Sequence, residues 1–356
     1  MALQLSVQPY AMTGNPIAVT MTSTGEDAEL VRLLITCGGM EFVETYRLKG
    51  TLCIDVADVL SSAAAPAELL QLDTVLRLVN PLPQAQVQLK DSYNAAAVTE
   101  TCTLFYGGFG EDKLAAINGT SADLITARLL AADSQNPFMT TRSSTPSIAM
   151  REGEVQPLCF AAAGGETVTV EVTTSDNETR TYDTESSAQA RLLALDLRPL
   201  INDSCKHFTV KLRNSVVHVA ITPNPTARRV RLATFLNSLG VYESLMLTGQ
   251  AEVKSSVAES DDAALNLFNS RTLLYERQRA RRGITDSITL YAGYRTPDEV
   301  AFLNDLIISP HILLDGRSAV CTTTELISYA DTDSAEPREV ELTFEYAVTR
   351  YHYSPM

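Results

Sequence analysis

The side chains best suited to acid–base work near neutral pH are the four histidines, His207, His218, His311 and His352. They stand far apart, and none falls in the HxxxH or HExxH spacing that sets two imidazoles on one helix face for a metal. His207 next to Phe208, and His218 within the apolar alternation of 217–221, read as strand residues. Asp331 and Asp333 have the two-residue spacing of calcium ligands, but the central glycine and terminal glutamate of such a loop are missing. Gly107-Gly108-Phe109-Gly110 invites a phosphate-loop reading, yet no GxxxxGK[ST] or GxGxxG can be completed around it, so a turn between domains is expected. No GxSxG elbow occurs. Catalytic, cofactor-binding and metal-binding residues are therefore all expected to be none, and the chain is read as a non-enzyme.

What remains is charge. Arg277, Arg279, Arg281 and Arg282 crowd one short segment, with Arg228, Arg229 and Arg231 as a second cluster. Against them stand Glu339, Glu341 and Glu345 on alternate positions of a strand-like run. The net charge of -15 argues against a nucleic-acid partner, because phosphate binding needs a basic surface to release counterions. The arginines and glutamates instead form a candidate interface between copies of the chain, with solvated loop and strand faces as the competing reading.

The elements that would carry these residues are mostly strands. Period-two alternation runs through Leu3, Leu5 and Val7, and again through Ile17, Val19 and Met21 after the turn at Gly14-Asn15-Pro16. Tyr46, Leu48, Leu52, Ile54 and Val56 share one parity, which reads as one long strand with a bend at Gly50. Further strands are expected over 87–90 and 98–106, then helix over 112–117 and 121–130. Alternation resumes at Val168, Val170 and Val172, and Phe208 to Ile221 reads as a hairpin turning at Asn214-Ser215. Two echoes suggest that the second block repeats the first: Gln156-Pro157 against Gln8-Pro9, and Leu195-Asp196-Leu197 against Ile54-Asp55-Val56.

Beyond the breaker cluster Thr222-Pro223-Asn224-Pro225, a strand is expected over 230–235, a turn at Asn237-Ser238-Leu239-Gly240 and a return strand over 241–247, then a polar stretch over 255–262. The clearest unit is strand, helix, strand over 283–316: Thr296 as N-cap, Pro297 at the first helical position and Glu299 completing a capping box. Val300, Leu303, Leu306 and Ile307 give that helix one apolar face. Val340, Leu342, Phe344, Tyr346 and Val348 face one way on a final strand. The expected fold is thus mainly β: a sandwich over 1–110, a helical connector over 111–137, a second antiparallel β-sandwich over 138–224, and a β-rich α+β domain with one packed helix over 225–356.

At 356 residues the chain has room for these cores. The N-terminal residues show no signal peptide and no apolar run is long enough for membrane insertion. Six cysteines, Cys37, Cys53, Cys102, Cys159, Cys205 and Cys321, stand singly and fit free thiols in a reducing compartment.

Two segments, RLATFLNSLGVYESLMLTG over 231–249 and TPDEVAFLNDLIISPHILLDG over 296–316, resemble parts of tail structural proteins encoded by phages and prophages of gut bacteria. Gly14-Asn15-Pro16 and the later Ile54-Asp55-Val56-Ala57-Asp58-Val59-Leu60 are similar to the opening sandwich of the same group. The resemblance implies a virion structural protein of the tail tip, distal tail or baseplate, assembled in the host cytoplasm, whose partners are its own copies and other tail proteins. It implies no catalytic residue. The alternative is a carbohydrate- or receptor-binding β-sandwich protein without catalysis.

Overall fold

The computed structural model describes residues 3–25, 27–69, 74–91, 97–143, 145–202, 206–226, 229–257, 265–271, 274–278, 283–295, 297–325 and 338–348. Its contacts group the chain into two units, Met1–Asn224 with Leu236–Ser244, and Pro225–Phe235 with Leu245–Met356. The fold is mainly β, built of sandwiches with few and short helices.

The first unit opens with β1 (Leu3–Val7), β2 (Tyr10–Met12), β3 (Ala18–Ser23), β4 (Glu29–Cys37), β5 (Met40–Leu48) and β6 (Gly50–Asp55). A helical turn α1 (Ala57–Leu60) leads to β7 (Leu76–Pro81), β8 (Gln84–Asp91) and β9 (Ala97–Phe105). Two sheets form, β1-β3-β6 and β2-β9-β8-β4-β5. Alternation decides which side chains meet between them: Val19 and Met21 from one sheet, and Val31, Leu33, Val87 and Leu89 from the other, are fully buried. The stretch expected as one bent strand is in fact two. The chain leaves the five-stranded sheet after Leu48 and enters the other at Gly50, whose φ of 73° suits the abrupt change of direction.

Helices α2 (Glu111–Ile117) and α3 (Ser121–Leu124) follow, the latter continuing as a wider π turn over Ile125–Leu130. Ile125 and Leu129, four residues apart on one face, are fully buried among Met12, Phe105, Phe109 and Ala161. The second sandwich comprises β10 (Ser147–Arg151), β11 (Leu158–Ala162), β12 (Thr169–Thr174), β13 (Thr179–Asp183), β14 (Arg191–Leu195), β15 (His207–Leu212) and β16 (Ser215–Thr222). Its sheets are β10-β16-β15-β12-β13 and β11-β14-β7. Phe138 and Phe160 meet edge to face at 5.9 Å in its core, which Val170, Val172, Val210 and Val219 also line.

Strand for strand, β2, β3, β4, β5, β6, β8 and β9 stand in the order of β10, β11, β12, β13, β14, β15 and β16, each set beginning with a strand parallel to its last. A sheet ordered β9-β8-β4-β5 over the pair β3-β6 is the G-F-C-C′ over B-E order of immunoglobulin-type sandwiches. The apolar-Asp-apolar echo marks equivalent places. Asp55 Oδ1 accepts from the Ala57 amide at 3.0 Å, and Asp196 Oδ1 from the Arg198 amide at 3.0 Å, each starting a helical turn after its strand. The Gln-Pro echo does not, since Gln8-Pro9 precedes β2 whereas Gln156-Pro157 follows β10.

The sandwiches differ in their eighth strand. In the first, β1 lies beside β3; in the second, β7 lies beside β14, antiparallel from Leu76↔Leu195 to Pro81↔Arg191 with a bulge between Leu192 and Leu193. The sheet of the second sandwich is therefore completed by a strand that leaves and re-enters the first. Alternation in Leu76–Pro81 stops after Leu78, and no strand was expected there.

After the second sandwich come β17 (Arg231–Leu236), β18 (Tyr242–Leu247), β19 (Ala251–Val257), β20 (Leu265–Asn269), β21 (Leu274–Gln278), β22 (Ile284–Arg295), α4 (Pro297–Ile308), β23 (Ile312–Leu314), β24 (Arg317–Cys321) and β25 (Arg338–Tyr346). Seven strands form one sheet, β18-β17-β23-β24-β25-β22-β19, while β20 and β21 pair separately. Leu303 and Leu306 of α4 are fully buried against Phe235, Leu290, Leu342 and Phe344, as the helical spacing predicts. Of the polar stretch expected over 255–262, Ser255, Ser256 and Val257 belong to β19, and the rest lies outside the described residues. Val348 lies past the end of β25 and is exposed. The capping residue Thr296 lies outside the described residues.

The loan of β7 predicts that residues 138–224 produced alone form an incomplete sandwich. Their melting temperature should rise when a peptide of residues 74–83 is added; a fragment indifferent to that peptide would show that β7 contributes nothing to the second core.

Candidate functional site

The residues with chemical promise are scattered. His207 and His218 come to neighbouring strands on the exposed face of β15 and β16, where His218 Nδ1 lies 3.3 Å from Thr209 Oγ1. His311 is exposed before β23, and His352, Asp331, Asp333 and Cys205 lie outside the described residues. Cys37, Cys53, Cys102, Cys159 and Cys321 are free thiols. Among the described residues no group of three or more histidines, cysteines and carboxylates could hold a metal. Of the candidate interface, Glu341 and Glu345 are exposed on β25, Glu339 stands on the same strand across from Tyr294, and Arg277 belongs to β21 across from Asn266. Arg279, Arg281 and Arg282 lie outside the described residues.

The densest polar cluster is buried in the first unit and was not foreseen. Asn237, at the expected turn, receives the Leu239 and Val241 amides on Oδ1, each at 3.0 Å, and so fixes the loop from within. Its Nδ2 donates outward to the Met139 carbonyl at 3.0 Å and to Glu243 Oε2 at 2.9 Å. The Glu243 carboxylate also accepts from Thr140 Oγ1 at 2.5 Å, the Thr141 amide at 3.2 Å and Thr141 Oγ1 at 3.0 Å. Arg142 forks between Glu154 at 3.1 Å and the Ser244 carbonyl, while Arg128 donates to the Thr140 carbonyl at 2.6 Å. A buried carboxylate survives only with such donors, and here each charge has them.

The cavity beside this cluster holds about 20 Å³, room for one water and no substrate. Cys159 lines it, but burial, reinforced by the charge of Glu243, pushes its thiol up to about 12. The sulfur stays protonated and unreactive at neutral pH. Burial likewise lowers the pKa of Arg128, with Glu243 opposing the shift. The arrangement fastens residues 236–244 to the sandwiches as a clamp.

Glycines make a second fastening. Gly107 has φ 96°, and a Cβ there would lie 2.1 Å from the Ser238 carbonyl oxygen. The Gly108 amide donates to that same carbonyl at 2.7 Å, and the Ala67 amide to the Gly240 carbonyl at 2.9 Å. Asn15 holds Phe109 by two bonds, Nδ2 to its carbonyl at 2.9 Å and Oδ1 from its amide at 2.8 Å. The Gly-rich turn is therefore a packing joint whose Gly108 and Phe109 amides are occupied, which is why phosphate chemistry has no footing there.

A third point sits at the β15–β16 hairpin, whose two-residue turn is Arg213-Asn214, one position earlier than the sequence suggested. Arg213 takes φ 58°, unfavourable for a long side chain, and its guanidinium secures it. It donates to Glu166 at 2.7 and 3.0 Å, to the Leu129 carbonyl at 3.1 Å and to the Ala161 carbonyl at 2.8 Å. Burial alone would raise the Glu166 pKa, but the Arg213 hydrogen bonds, the Ala163 amide and the charges of Arg213 and Arg191 outweigh it and leave it lowered.

No family model matches the chain, and no curated protein matches it. Among solved structures, one described as structural insight into host cell surface retention of a 1.5-MDa bacterial ice-binding adhesin is 10% identical, covering 73% of this chain and 93% of that one at a TM-score of 0.17. A marsupial T cell receptor is 11% identical, covering 81% and 96% at a TM-score of 0.19. Superpositions this loose carry no functional argument.

Two predictions follow from the charges. Glu243→Ala would leave Asn237, Thr140 and Thr141 donors buried without their acceptor, and chemical denaturation should show a loss of about 3 kcal/mol. Because Glu166 has a lowered folded pKa, its contribution is complete above the ordinary carboxylate range and is lost as pH falls through and below about 4.5. Melting temperature followed from neutral to acid pH should fall less steeply in Arg213→Ala than in the wild type; parallel curves would remove the ion pair from the account.

Proposed function

We propose that the chain is a non-catalytic structural protein of a phage tail, in the tail tip or baseplate, that works by self-assembly and by docking partner proteins. The observation that carries this reading is the pairing of β7 with β14. Main-chain hydrogen bonds across the two sandwiches make a stiff joint with fixed register, where an ordinary interdomain linker would leave relative motion. A particle component needs that stiffness, because each copy must present its surfaces to the next at one angle if a ring is to close.

The resemblance of 231–249 to tail proteins supports the same reading, since Asn237, Gly240 and Glu243 within it make the clamp. Exposed Glu341 and Glu345 offer an acidic stripe to a basic neighbour, as the candidate interface requires. Among the described residues no helix is long and apolar enough to cross a membrane. The virion is the proposed location, with assembly in the host cytoplasm.

Immunogold labelling of purified phage particles, with antibody raised against the whole chain, should decorate the tail. Absence of the chain from purified particles, by labelling and by peptide mass spectrometry, would overturn the proposal, and saturable binding of the isolated chain to glycans would favour the carbohydrate- or receptor-binding alternative.

A further inference from the structure

We propose that the open edge of β6 pairs antiparallel with the same edge of a second copy of this chain. The proposal names one surface for the self-assembly argued above and rests on that reading. The two sandwiches supply a like-for-like comparison. Strand β14, covered by β7, is buried along its whole length, whereas its counterpart β6 ends its sheet and keeps Leu52 and Ile54 only partly buried over the first core. The Asp196 amide donates to the Val75 carbonyl at 2.7 Å, just before β7. The equivalent Asp55 amide has no such partner strand among the described residues.

The direction of the edge groups follows from one further bond. The Val56 amide donates to the Ile17 carbonyl at 3.0 Å, toward β3. Alternation along the strand then turns the main-chain groups of Thr51, Cys53 and Asp55 away from β3, into the open edge. Three other sheet edges are guarded by charge: Glu41, Glu44 and Arg47 on β5, Arg180 and Asp183 on β13, Glu252 and Lys254 on β19. From Gly50 to Ile54, β6 has no charge, no proline and no bulge to turn another strand away.

The sequence of β6 also suits its own copy. In an antiparallel register centred on Cys53, Leu52 stands across from Ile54 of the second copy and continues the apolar face, while Asp55 meets Thr51 and not its own twin. That avoids the like-charge opposition that disfavours strand pairs. The result is a continuous six-stranded sheet across a two-fold axis, each partly covered Leu52 and Ile54 gaining a neighbour. Because each copy carries a net charge of -15, association should strengthen as added salt screens their repulsion.

Sedimentation velocity on the full chain over a range of concentrations tests this, with and without added sodium chloride. The expected result is a monomer–dimer equilibrium favoured by salt. Cys53→Pro removes an amide that points to the open edge, leaving the β3 ladder intact, and Thr51→Glu sets a second carboxylate across from Asp55 of the other copy. Each should raise the dimer Kd about tenfold or more with little change in melting. Hydrogen exchange should show the Cys53 and Asp55 amides protected in the dimer and open in the glutamate variant. Should the proline variant fail to fold, the glutamate variant carries the test alone. A chain that stays monomeric throughout, or a dimer indifferent to the substitutions, overturns the β6 pairing, while the tail-labelling experiment is decided independently of either.

Discussion

Everything in the first unit depends on backbone hydrogen bonds between β7 and β14, because they make the completion of one core a condition on the path of the other. A sheet edge left open exposes main-chain groups and half-covers the apolar side chains beside it. The first sandwich bears that cost at β6; the second shifts it from β14 to β7, a strand taken from the long connection between α1 and β8. Once β7 is committed, the chain around it has little freedom. The seam it creates collects Val79, Leu82, Ala161, Leu192 and Ala194 into a small apolar cluster of its own, together with the π turn after α3.

Onto this seam the rest is pinned by groups that tolerate no substitute of different shape. Glycine at 107 and 240 lets carbonyl and amide approach where a Cβ would collide, and Asn15 and Asn237 spend both ends of their amides on loops that would otherwise be loose. Glu243 stands buried because four donors, from Thr140, Thr141 and Asn237, satisfy both of its oxygens. The polar interior thus serves register and fixity. The small cavity beside Glu243 holds about 20 Å³, and the Cys159 thiol that lines it is kept protonated by burial.

Much of the fold was legible because its strands alternate cleanly. Ile17 to Met21, Val168 to Val172 and Val340 to Phe344 each announce a buried face by parity alone, and Leu303 with Leu306 does so for α4. The even spacing of Asp55 and Asp196 after similar apolar strands also marked equivalent turns correctly. Parity failed where two strands joined without changing phase, at Leu48 to Leu52, since a switch of sheets leaves the alternation undisturbed. It failed again at β7, whose pattern is set by two different cores at once and by a bulge opposite Leu192. The clamp was hidden for another reason: Asn237 and Glu243 look like ordinary turn and strand residues, and only tertiary placement beside Thr140, Thr141 and Arg142 gives them donors and acceptors. The candidate arginines carried a charge signal with no geometric one.

The borrowed strand has a consequence for how the chain reaches this state. As the polypeptide emerges from the ribosome, β7 is made long before β14, so Leu76 and Leu78 have no partner until Leu195 and Leu193 arrive. The first sandwich can close early around β8 and β9, but the connection it extrudes must wait, extended and unpaired, through the synthesis of most of the second. Folding of the second core is therefore paced by a distant contact and not by local ones. A nascent chain of this kind spends part of its life as a hook with a sticky barb, and the cell that makes it in quantity must either finish translation quickly or shield the barb until its own eye is built.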